Sequence, residues 1–318
     1  MRKLKFDLVI DNSAELAPNA EAFYSQAYLS SDIVDNYRTL PGVKYKTKLG
    51  TVTFGSPLAP ANCGFTASTD DLSSVEIDVC SLSSMTQICQ FDLEQSFVSL
   101  QMTQGSNGDF SVASFMNFYW SELANAINGN IESLRWQGDT VLAPAPLGLC
   151  DGYEVKLTAG LPPVIPVPGT SYVINGGTGA ITTFSGVGEL LDKLVAAFAL
   201  VPATIANRTA DLRIYLPTQL VNIYRLGVAQ GNTNAFITQD LSLTFLGIKI
   251  VLCPGMSNDT FVITLKDNLI YAFDAEGDPS DLRAINLRDT VAEPVIRTRA
   301  DMKIGFSFVN PSDIVFYS

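Results

Sequence analysis

One stretch of the sequence, residues 111–136, is long enough to form a helix about 37 Å in length. Ser111 or Asp109 can cap its start, and Gly138 can end it. Gly129 costs about 1 kcal/mol relative to alanine, so the helix is expected to need packing along one face. Its apolar residues recur every three or four positions, as in a single helical stripe: Val112, Phe115, Met116, Tyr119, Leu123, Ile127, Ile131 and Leu134.

Before this helix, residues 34–100 carry β-strand signals. Strands are predicted around residues 44–54, at 74–79 and at 86–93, with a turn-rich stretch over 55–71. We interpret the region as a long two-stranded hairpin with a wide tip. Isolated two-stranded ribbons are marginally stable in water, so this one would gain stability from a partner. The alternative is an ordinary meander within the domain.

Three lysines, Lys44, Lys46 and Lys48, would share one face of the first strand, because they alternate with Tyr45, Thr47 and Leu49. Such a face is commonly solvated. The alternative interpretation is a subunit-contact surface that forms an electrostatic seam against an acidic neighbour.

After the long helix, the pattern changes to alternating helices and strands. A proline-rich loop at residues 161–169 favours extended geometry and is a candidate domain boundary. Amphipathic helices are predicted over 187–198 and from Pro217 to Gly231. Strands are predicted at residues 212–216, 241–252, 261–265, 269–273, 291–299, 302–309 and 314–317.

The composition excludes several classes of function. The 318-residue chain has 20 basic and 32 acidic side chains, a net charge of −12, whereas a phosphate backbone is bound by clustered lysine and arginine. No uncharged apolar run reaches the roughly 18 residues of a membrane span. Asp7 and Asp11 interrupt the apolar part of the basic N-terminus, so we expect no secretory signal. The absence of histidine excludes Ser-His-Asp and Cys-His catalysis and histidine metal ligation.

The five cysteines, at positions 63, 80, 89, 150 and 253, are scattered and include no CxxC pair. We interpret them as reduced, partly buried thiols of a cytosolic product. The alternatives are a Cys80–Cys89 disulfide or a thiolate metal site.

Three further patterns are weak candidates for binding or catalysis. Residues 175–190 are glycine-rich, but Thr182 stands where a dinucleotide fingerprint needs its third glycine. Residues 274–281 are acidic, but Pro279 stands where a calcium loop needs glycine. Glu154 and Glu293 are candidate hydrolase carboxylates, but no local motif pairs them. We therefore predict no enzymatic activity, no cofactor and no metal.

Four segments resemble the major capsid proteins of tailed bacteriophages, whose fold is the Hong Kong ninety-seven type shared with encapsulins. The order of the predicted parts is also similar across nearly the whole chain. The segments are NIESLRWQGDT at 130–140, CDGYEVKL at 150–157, FLGIKIVLCPGMSNDTFVITLKDNLIYAFD at 245–274, and IRTRADMKIGFSFVNPSDIVFY at 296–317.

This resemblance implies an α+β fold with four parts. Residues 1–33 would be an N-terminal arm, and residues 34–100 an extended β-hairpin loop lying over a neighbouring subunit. Residues 101–160 and 284–318 would form a peripheral domain with a spine helix at about 111–136. Residues 161–283 would form an α/β axial domain.

The resemblance further implies a structural protein that assembles into hexamers and pentamers of an icosahedral shell around phage double-stranded DNA. The expected location is the virion capsid, with assembly in the host bacterial cytoplasm. Expected partners are other copies, a portal protein, decoration proteins and a scaffold that is a separate protein, since only some 33 residues precede the hairpin. The alternatives are an encapsulin-like nanocompartment shell, a carbohydrate-binding or adhesion β-protein, and a histidine-free carboxylate hydrolase.

Overall fold

A computed structural model describes the chain at residues 23, 31–54, 70–89, 113–142, 144–160, 172–174, 187–231, 243–258, 260–274, 282–287, 293 and 295–317. The chain divides into two compact units. The first unit comprises Met1–Ser30, Ser81–Gly129 and Asp274–Lys303. The second unit comprises Ser31–Cys80, Asn130–Phe273 and Ile304–Ser318.

The described residues contain both helices and strands, as the sequence predicts. The helices are α1 (Ser31–Asn36), α2 (Ala113–Gln137), α3 (Tyr153–Gly160), α4 (Val187–Phe198), α5 (Ala203–Ala206) and α6 (Thr218–Gly231). The strands are β1 (Arg38–Leu40), β2 (Lys46–Phe54), β3 (Asp70–Asp78), β4 (Cys80–Cys89), β5 (Tyr172–Ile174), β6 (Leu212–Leu216), β7 (Thr244–Phe245), β8 (Ile248–Leu252), β9 (Phe261–Leu265), β10 (Leu269–Phe273), β11 (Leu282–Asn286), β12 (Val295–Phe308) and β13 (Ile314–Tyr317).

The long helix predicted over residues 111–136 is confirmed as α2, which has 25 residues. Its proposed N-terminal caps, Ser111 and Asp109, lie outside the described residues. Among the stripe residues whose burial is described, Ile127, Ile131 and Leu134 are buried. This part of the stripe therefore faces protein, in agreement with the marginal helix propensity of the segment.

The second unit is built around a mixed six-stranded sheet of order β5-β13-β9-β6-β8-β7. Strands β5 and β8 run parallel to their neighbours β13 and β6, and the remaining pairs are antiparallel. Helices α4 and α6 contribute apolar residues at helical spacing to the core beside this sheet. Their buried residues are Leu190, Leu194, Ala197, Leu220, Val221 and Tyr224.

The second unit also contains β1, β10 and the end of β12, from Ile304 to Phe308. Strand β1 pairs in parallel with β10, and β10 pairs antiparallel with β12, placing Phe273 opposite Ile304. Ile270 and Ala272 of β10 are fully buried. The short helix α1 is thus followed by β1, which pairs with the buried strand β10, and the hairpin begins only after β1.

In the first unit, the start of β12 pairs antiparallel with β11, and β12 also pairs with β4. The hydroxyl groups of Thr86, Tyr119 and Thr298 form a hydrogen-bonded cluster there, with 3.2 Å between Tyr119 and Thr298. The ring of Phe23 packs edge-on against Trp120 at 5.5 Å between centroids. The polar cluster therefore connects the start of α2 with strands β4 and β12 of its own unit, and the aromatic pair connects it with Phe23.

The single strand predicted over residues 241–252 is wrong. Strand β7 ends at Phe245 and β8 begins at Ile248, and the two residues between them have positive φ angles of 50° at Leu246 and 81° at Gly247. Two successive residues with positive φ make the tight turn typical of a β-hairpin. The glycine provided this turn signal inside a segment that otherwise has the composition of a strand.

The two strands predicted at 291–299 and 302–309 are one strand, β12. Burial alternates without interruption from Ile296 to Ile304, so Asp301 continues the period of two and does not break it. The strand predicted at 86–93 is instead β4, which begins at Cys80, and residues 90–93 lie outside the described residues.

We predict opposite effects for two glycine-to-alanine substitutions. A Cβ at Gly255 would lie 2.1 Å from the carbonyl oxygen of Glu132, whereas a Cβ at Gly129, exposed on α2, meets nothing within 4 Å. Gly255→Ala should lower the free energy of unfolding by about 1–3 kcal/mol through overpacking. Gly129→Ala should raise it by roughly 0.5–1 kcal/mol through helix propensity.

Urea-induced unfolding followed by circular dichroism measures both effects. The close approach of the 255 turn to α2 would be disproved if Gly255→Ala unfolded at the same urea concentration as the wild-type chain.

Candidate functional site

The most distinctive surface is the hairpin formed by β2 and β3, the pair that forms a two-stranded sheet. Nine residues of each strand are paired, from Lys46 opposite Asp78 to Phe54 opposite Asp70. The hairpin predicted from the sequence is therefore confirmed in these two strands. Most of the turn-rich stretch between them, residues 55–69, lies outside the described residues.

The three lysines predicted as a subunit contact lie at the start of this hairpin and are all exposed. Lys46 forms ion pairs with Glu76, at 3.1 Å, and with Asp78, at 3.0 Å. Hydrogen bonds to Asp78 and Glu76 raise the pKa of Lys46. Lys48 stands opposite Glu76 in the strand register, and Lys44 precedes the strand. One lysine of the three is thus engaged with the hairpin's own second strand.

The end of the hairpin that begins β2 and ends β3 is anchored in the core of the second unit. Ile77 is fully buried with Ile270 and Ala272, and partly buried apolar residues pack around them. These are Leu40, Val43, Leu49, Val79 and Val309. Apolar burial therefore fixes this end of the ribbon, which we call the base.

Farther along the ribbon, apolar side chains are exposed. Val52 and Leu72 lie directly opposite each other, with 51% and 79% of their surfaces accessible. Two large apolar side chains that share one face of a ribbon form a small hydrophobic patch. This patch is available for contact with another molecule.

Two cysteines at the base are joined, which overturns the prediction of reduced thiols throughout and the alternative Cys80–Cys89 pairing. The disulfide connects Cys80, two residues after β3, with Cys150, and the two Cα atoms are 5.8 Å apart. Of the described cysteines, Cys89 and Cys253 are not in a disulfide. Since the partners are 70 positions apart in the sequence, their pairing could not be read from spacing.

Cys150 belongs to a tightly folded segment, residues 138–142 and 144–152, which we call the strap. Gly152 donates its backbone N–H to the carbonyl of Gly138 at 2.8 Å. A Cβ at Gly138 would lie 2.2 Å from the carbonyl oxygen of Cys150, so glycine is needed where the helix ends. Asp151 accepts hydrogen bonds from the backbone and the hydroxyl of Thr140. The strap is therefore a rigid support for Cys150.

The C-terminal end of α2 carries a buried charge. Arg135 is 3% exposed, and its side chain forms an ion pair with Glu132 on the same helix. Its guanidinium carbon lies 4.5 Å from the centre of the Tyr37 ring, in cation–π geometry. Burial lowers the pKa of Arg135, but the fields of Tyr37 and Glu132 outweigh it and raise the pKa above its ordinary value.

Aromatic rings surround this charge. The Trp136 ring packs against Tyr153 at 5.2 Å and against Tyr215 at 5.8 Å, and Tyr37 stacks on Tyr153 at 6.1 Å. Tyr153 donates its hydroxyl to the carbonyl of Ile270 at 2.7 Å. Burial raises the pKa of Tyr37, Tyr153 and Tyr215 above the ordinary value of 10.0, so all three remain protonated and neutral.

The candidate hydrolase carboxylates have structural partners. Glu154 accepts hydrogen bonds from the backbone and hydroxyl of Ser257, at 2.8 and 2.6 Å, and from Thr260 at 3.3 Å. Glu293 forms a long ion pair with Arg297 at 4.0 Å.

Within the described ranges, no group of three or more acidic or cysteine side chains is arranged to hold a metal ion. No helix of the described part is long and apolar enough to cross a membrane.

A second surface, in the first unit, is a cleft of about 520 Å³ beside β4, β11 and β12. Arg283 lies directly opposite Arg299 on the paired strands. Asp301 pairs with Arg299 at 2.8 Å, and Gln87 accepts a hydrogen bond from Arg297 at 3.0 Å. Asp301 thus compensates part of this positive charge, and the amide oxygen of Gln87 gives Arg297 a hydrogen-bond acceptor.

Comparison with known proteins supports one fold. No protein-family model matches the sequence, and no curated protein matches it. A structure of the satellite phage P4 procapsid including size determination (Sid) protein is 14% identical, with a TM-score of 0.56 over 93% of this chain and 96% of that one. The capsid of an empty GTA particle is 14% identical, with a TM-score of 0.54 over 92% of this chain and 89% of that one.

A virus-like particle from Pyrococcus furiosus is 10% identical, with a TM-score of 0.51 over 97% of this chain and 100% of that one. The fold is therefore that of shell-forming capsid proteins. The likeness to phage capsid proteins of the Hong Kong ninety-seven type, which the sequence segments predict, is confirmed at the level of the fold.

We predict that Arg135→Ala lowers the free energy of unfolding by about 3–5 kcal/mol, because it leaves the largely buried Glu132 without its partner. Arg208→Ala is the matched control. Arg208 pairs with Asp211 at the same i,i+3 spacing, but 51% of its side chain is exposed, so the loss should stay below about 1 kcal/mol. Equal losses in urea unfolding would show that burial of the charge is unimportant.

The strap should make a pH-dependent contribution to stability. Burial raises the pKa of Asp151, but hydrogen bonds from Thr140 outweigh it and hold the pKa below the ordinary value of 3.8. The contribution is complete above pH 3.8 and is lost as the pH falls through the native pKa, because the unfolded chain binds the proton first. The difference in unfolding midpoint between wild type and Asp151→Asn should therefore shrink below pH 3.8. A constant difference would contradict this assignment.

Proposed function

We propose that this chain is a major capsid protein that assembles into the hexamers and pentamers of an icosahedral shell around phage double-stranded DNA. The observation that carries the proposal is the fold, which matches capsid structures over more than nine-tenths of the chain. The net charge of −12 supports it, because a shell that encloses DNA without gripping it needs no basic face.

In this proposal, α2 is the spine helix of a peripheral domain formed by residues 101–160 and 284–318. Residues 161–283 form the axial domain at the centres of hexamers and pentamers, and residues 1–33 form an N-terminal arm. The role is structural and not enzymatic. The engagement of Glu154 by Ser257 and Thr260 supports this, because a carboxylate so occupied has a structural task.

The hairpin, within residues 34–100, is the extended loop that lies over a neighbouring subunit. Its core-anchored base and its exposed Val52–Leu72 patch support this role, because a two-stranded ribbon is marginal on its own. Lys44, Lys46 and Lys48 belong to the subunit contact near the base. Lys46 already pairs with two carboxylates of its own strand pair, so the proposal assigns the electrostatic part of that contact to Lys44 and Lys48.

The second candidate function is an encapsulin-like nanocompartment shell. The likeness to the Pyrococcus furiosus virus-like particle favours it specifically. The two functions differ in what the shell encloses and not in how its subunits fold. A carbohydrate-binding or adhesion role has no supporting observation in the described residues.

The partners proposed for the capsid are further copies of this chain, a portal protein, a separate scaffolding protein and decoration proteins. Assembly takes place in the host bacterial cytoplasm, and the product is located in the virion. Negative-stain microscopy of the expressed protein, with and without the products of neighbouring genes, tests for closed shells. Nuclease-resistant double-stranded DNA in purified particles supports the capsid, and an enclosed enzyme supports the nanocompartment.

We predict that Leu72→Asp prevents shell formation while changing the unfolding free energy of the subunit by no more than about 0.5 kcal/mol, because Leu72 is exposed. Ser74→Asp is the matched control. It adds the same charge to the same face of the same strand without removing an apolar contact, so shells should still form. Sedimentation of the two variants measures the difference. Normal shells from Leu72→Asp would remove this patch from the proposed contact.

A further inference from the structure

The disulfide at the hairpin base joins two segments of the second unit that are far apart in the sequence. Cys80 follows β3 after a single residue, Val79, so it stands just past the base of the ribbon, as the last residue of the second unit before Ser81 begins a segment of the first. A Cβ at Gly305 would lie 2.4 Å from the carbonyl oxygen of Asp78, so the backbone is closely packed immediately before Val79. The bond therefore ties the base of the ribbon to the strap at the end of α2.

The two sulfur atoms differ in accessibility. Cys150 is 1% exposed and is held by the rigid strap, whereas Cys80 is only partly buried. A reagent in solution can thus reach the thiol of Cys80 more readily than that of Cys150. Once formed, the bond is shielded on the Cys150 side, which slows its reduction.

We infer that the Cys80–Cys150 bond is open during assembly and closes afterwards, as a covalent clamp on the base of the hairpin. The timing rests on the proposed function, because it assumes assembly in the bacterial cytoplasm, where thiols are kept reduced. The location of the clamp rests only on the geometry of the second unit. While the bond is open, the ribbon is held at its base by non-covalent contacts alone and can adjust as subunits meet.

Closure requires an external disulfide, such as oxidised glutathione, as the oxidant. The Cys80 thiolate attacks one sulfur of that disulfide, forms a mixed disulfide and releases one small thiolate. The Cys150 thiolate then attacks the Cys80 sulfur, which forms the Cys80–Cys150 bond and releases the second small thiolate. Both cysteine protons leave to solvent or to the released thiolates, so two protein thiols are oxidised and one small disulfide is reduced.

The clamp should stabilise the chain without changing its fold. Closing a loop of 70 residues removes enough entropy from the unfolded chain to shift the unfolding equilibrium by roughly a thousandfold. It should also shield the base of the ribbon from proteases. Neither effect requires contact with another subunit.

Counting free thiols tests the timing. The full chain is expressed in bacteria, and one half of the culture is lysed directly into a denaturing maleimide-polyethylene glycol reagent. Shells from the other half are exposed to oxidised glutathione, denatured and labelled in the same way. We expect five labels per chain at lysis and three after oxidation. Three at lysis would show that the bond forms during folding, and five after oxidation would show that it does not form; either result overturns the inference.

Variants identify the bond and measure its effect. Cys89→Ser, which removes a free thiol of the same strand, should lose one label in both samples and keep the two-label difference. Cys80→Ser/Cys150→Ser should show no difference between samples.

If that variant does not fold, the wild-type chain is unfolded in urea with and without dithiothreitol. An unfolding midpoint that dithiothreitol does not change overturns the clamp. Labels are counted on denatured single chains, so the count does not depend on shells. A protein that forms no shells but falls from five labels to three on oxidation would contradict the proposed function. It would still support the Cys80–Cys150 bond.

Discussion

The burial of one ion pair at the end of the long helix organises much of the second unit. Arg135 and Glu132 are polar residues on the inward face of α2, and taking their charges out of water is costly. Tyr37 offsets part of that cost by placing its ring beneath the guanidinium group. The Gly255 turn lies against the backbone of Glu132, so that a side chain has no room there. The helix end is thus fixed by charge and by steric fit together.

The hairpin follows a different physical rule. Its base is held by the burial of Ile77, but Val52 and Leu72 farther along remain exposed. A strand pair cannot bury such residues against itself, because both side chains of a directly opposed pair lie on the same face. The Val52–Leu72 patch is therefore left exposed by the residues that the structure describes, and the fold is one shared with capsid proteins.

Much of this fold could be predicted from periodicity and turn signals. The stripe of α2 and the buried strands β6, β9, β10 and β13 have strong local patterns, and their predicted bounds agree closely with the structure. Helix α3 and strand β11 were not predicted, because Tyr153–Gly160 and Leu282–Asn286 show neither a clear stripe nor a clean alternation. Long-range pairing was the harder problem. Nothing local links Cys80 with Cys150, or marks Arg135 as buried, because both depend on elements distant in sequence.

The two ends of the hairpin differ in the interactions that are available to them. In the proposed shell, the exposed patch would contribute apolar area to a subunit contact, and such contacts would add up over many copies, since a standard interface buries roughly 1,600 Å². At the base, the stabilising terms are intramolecular, the buried Ile77 and the bond to Cys150, and they do not depend on protein concentration. In the proposed assembly, subunits would first meet through weak, reversible contacts at the patch. The proposed later closure of the covalent bond at the base would limit the ribbon's motion without strengthening any incorrect contact.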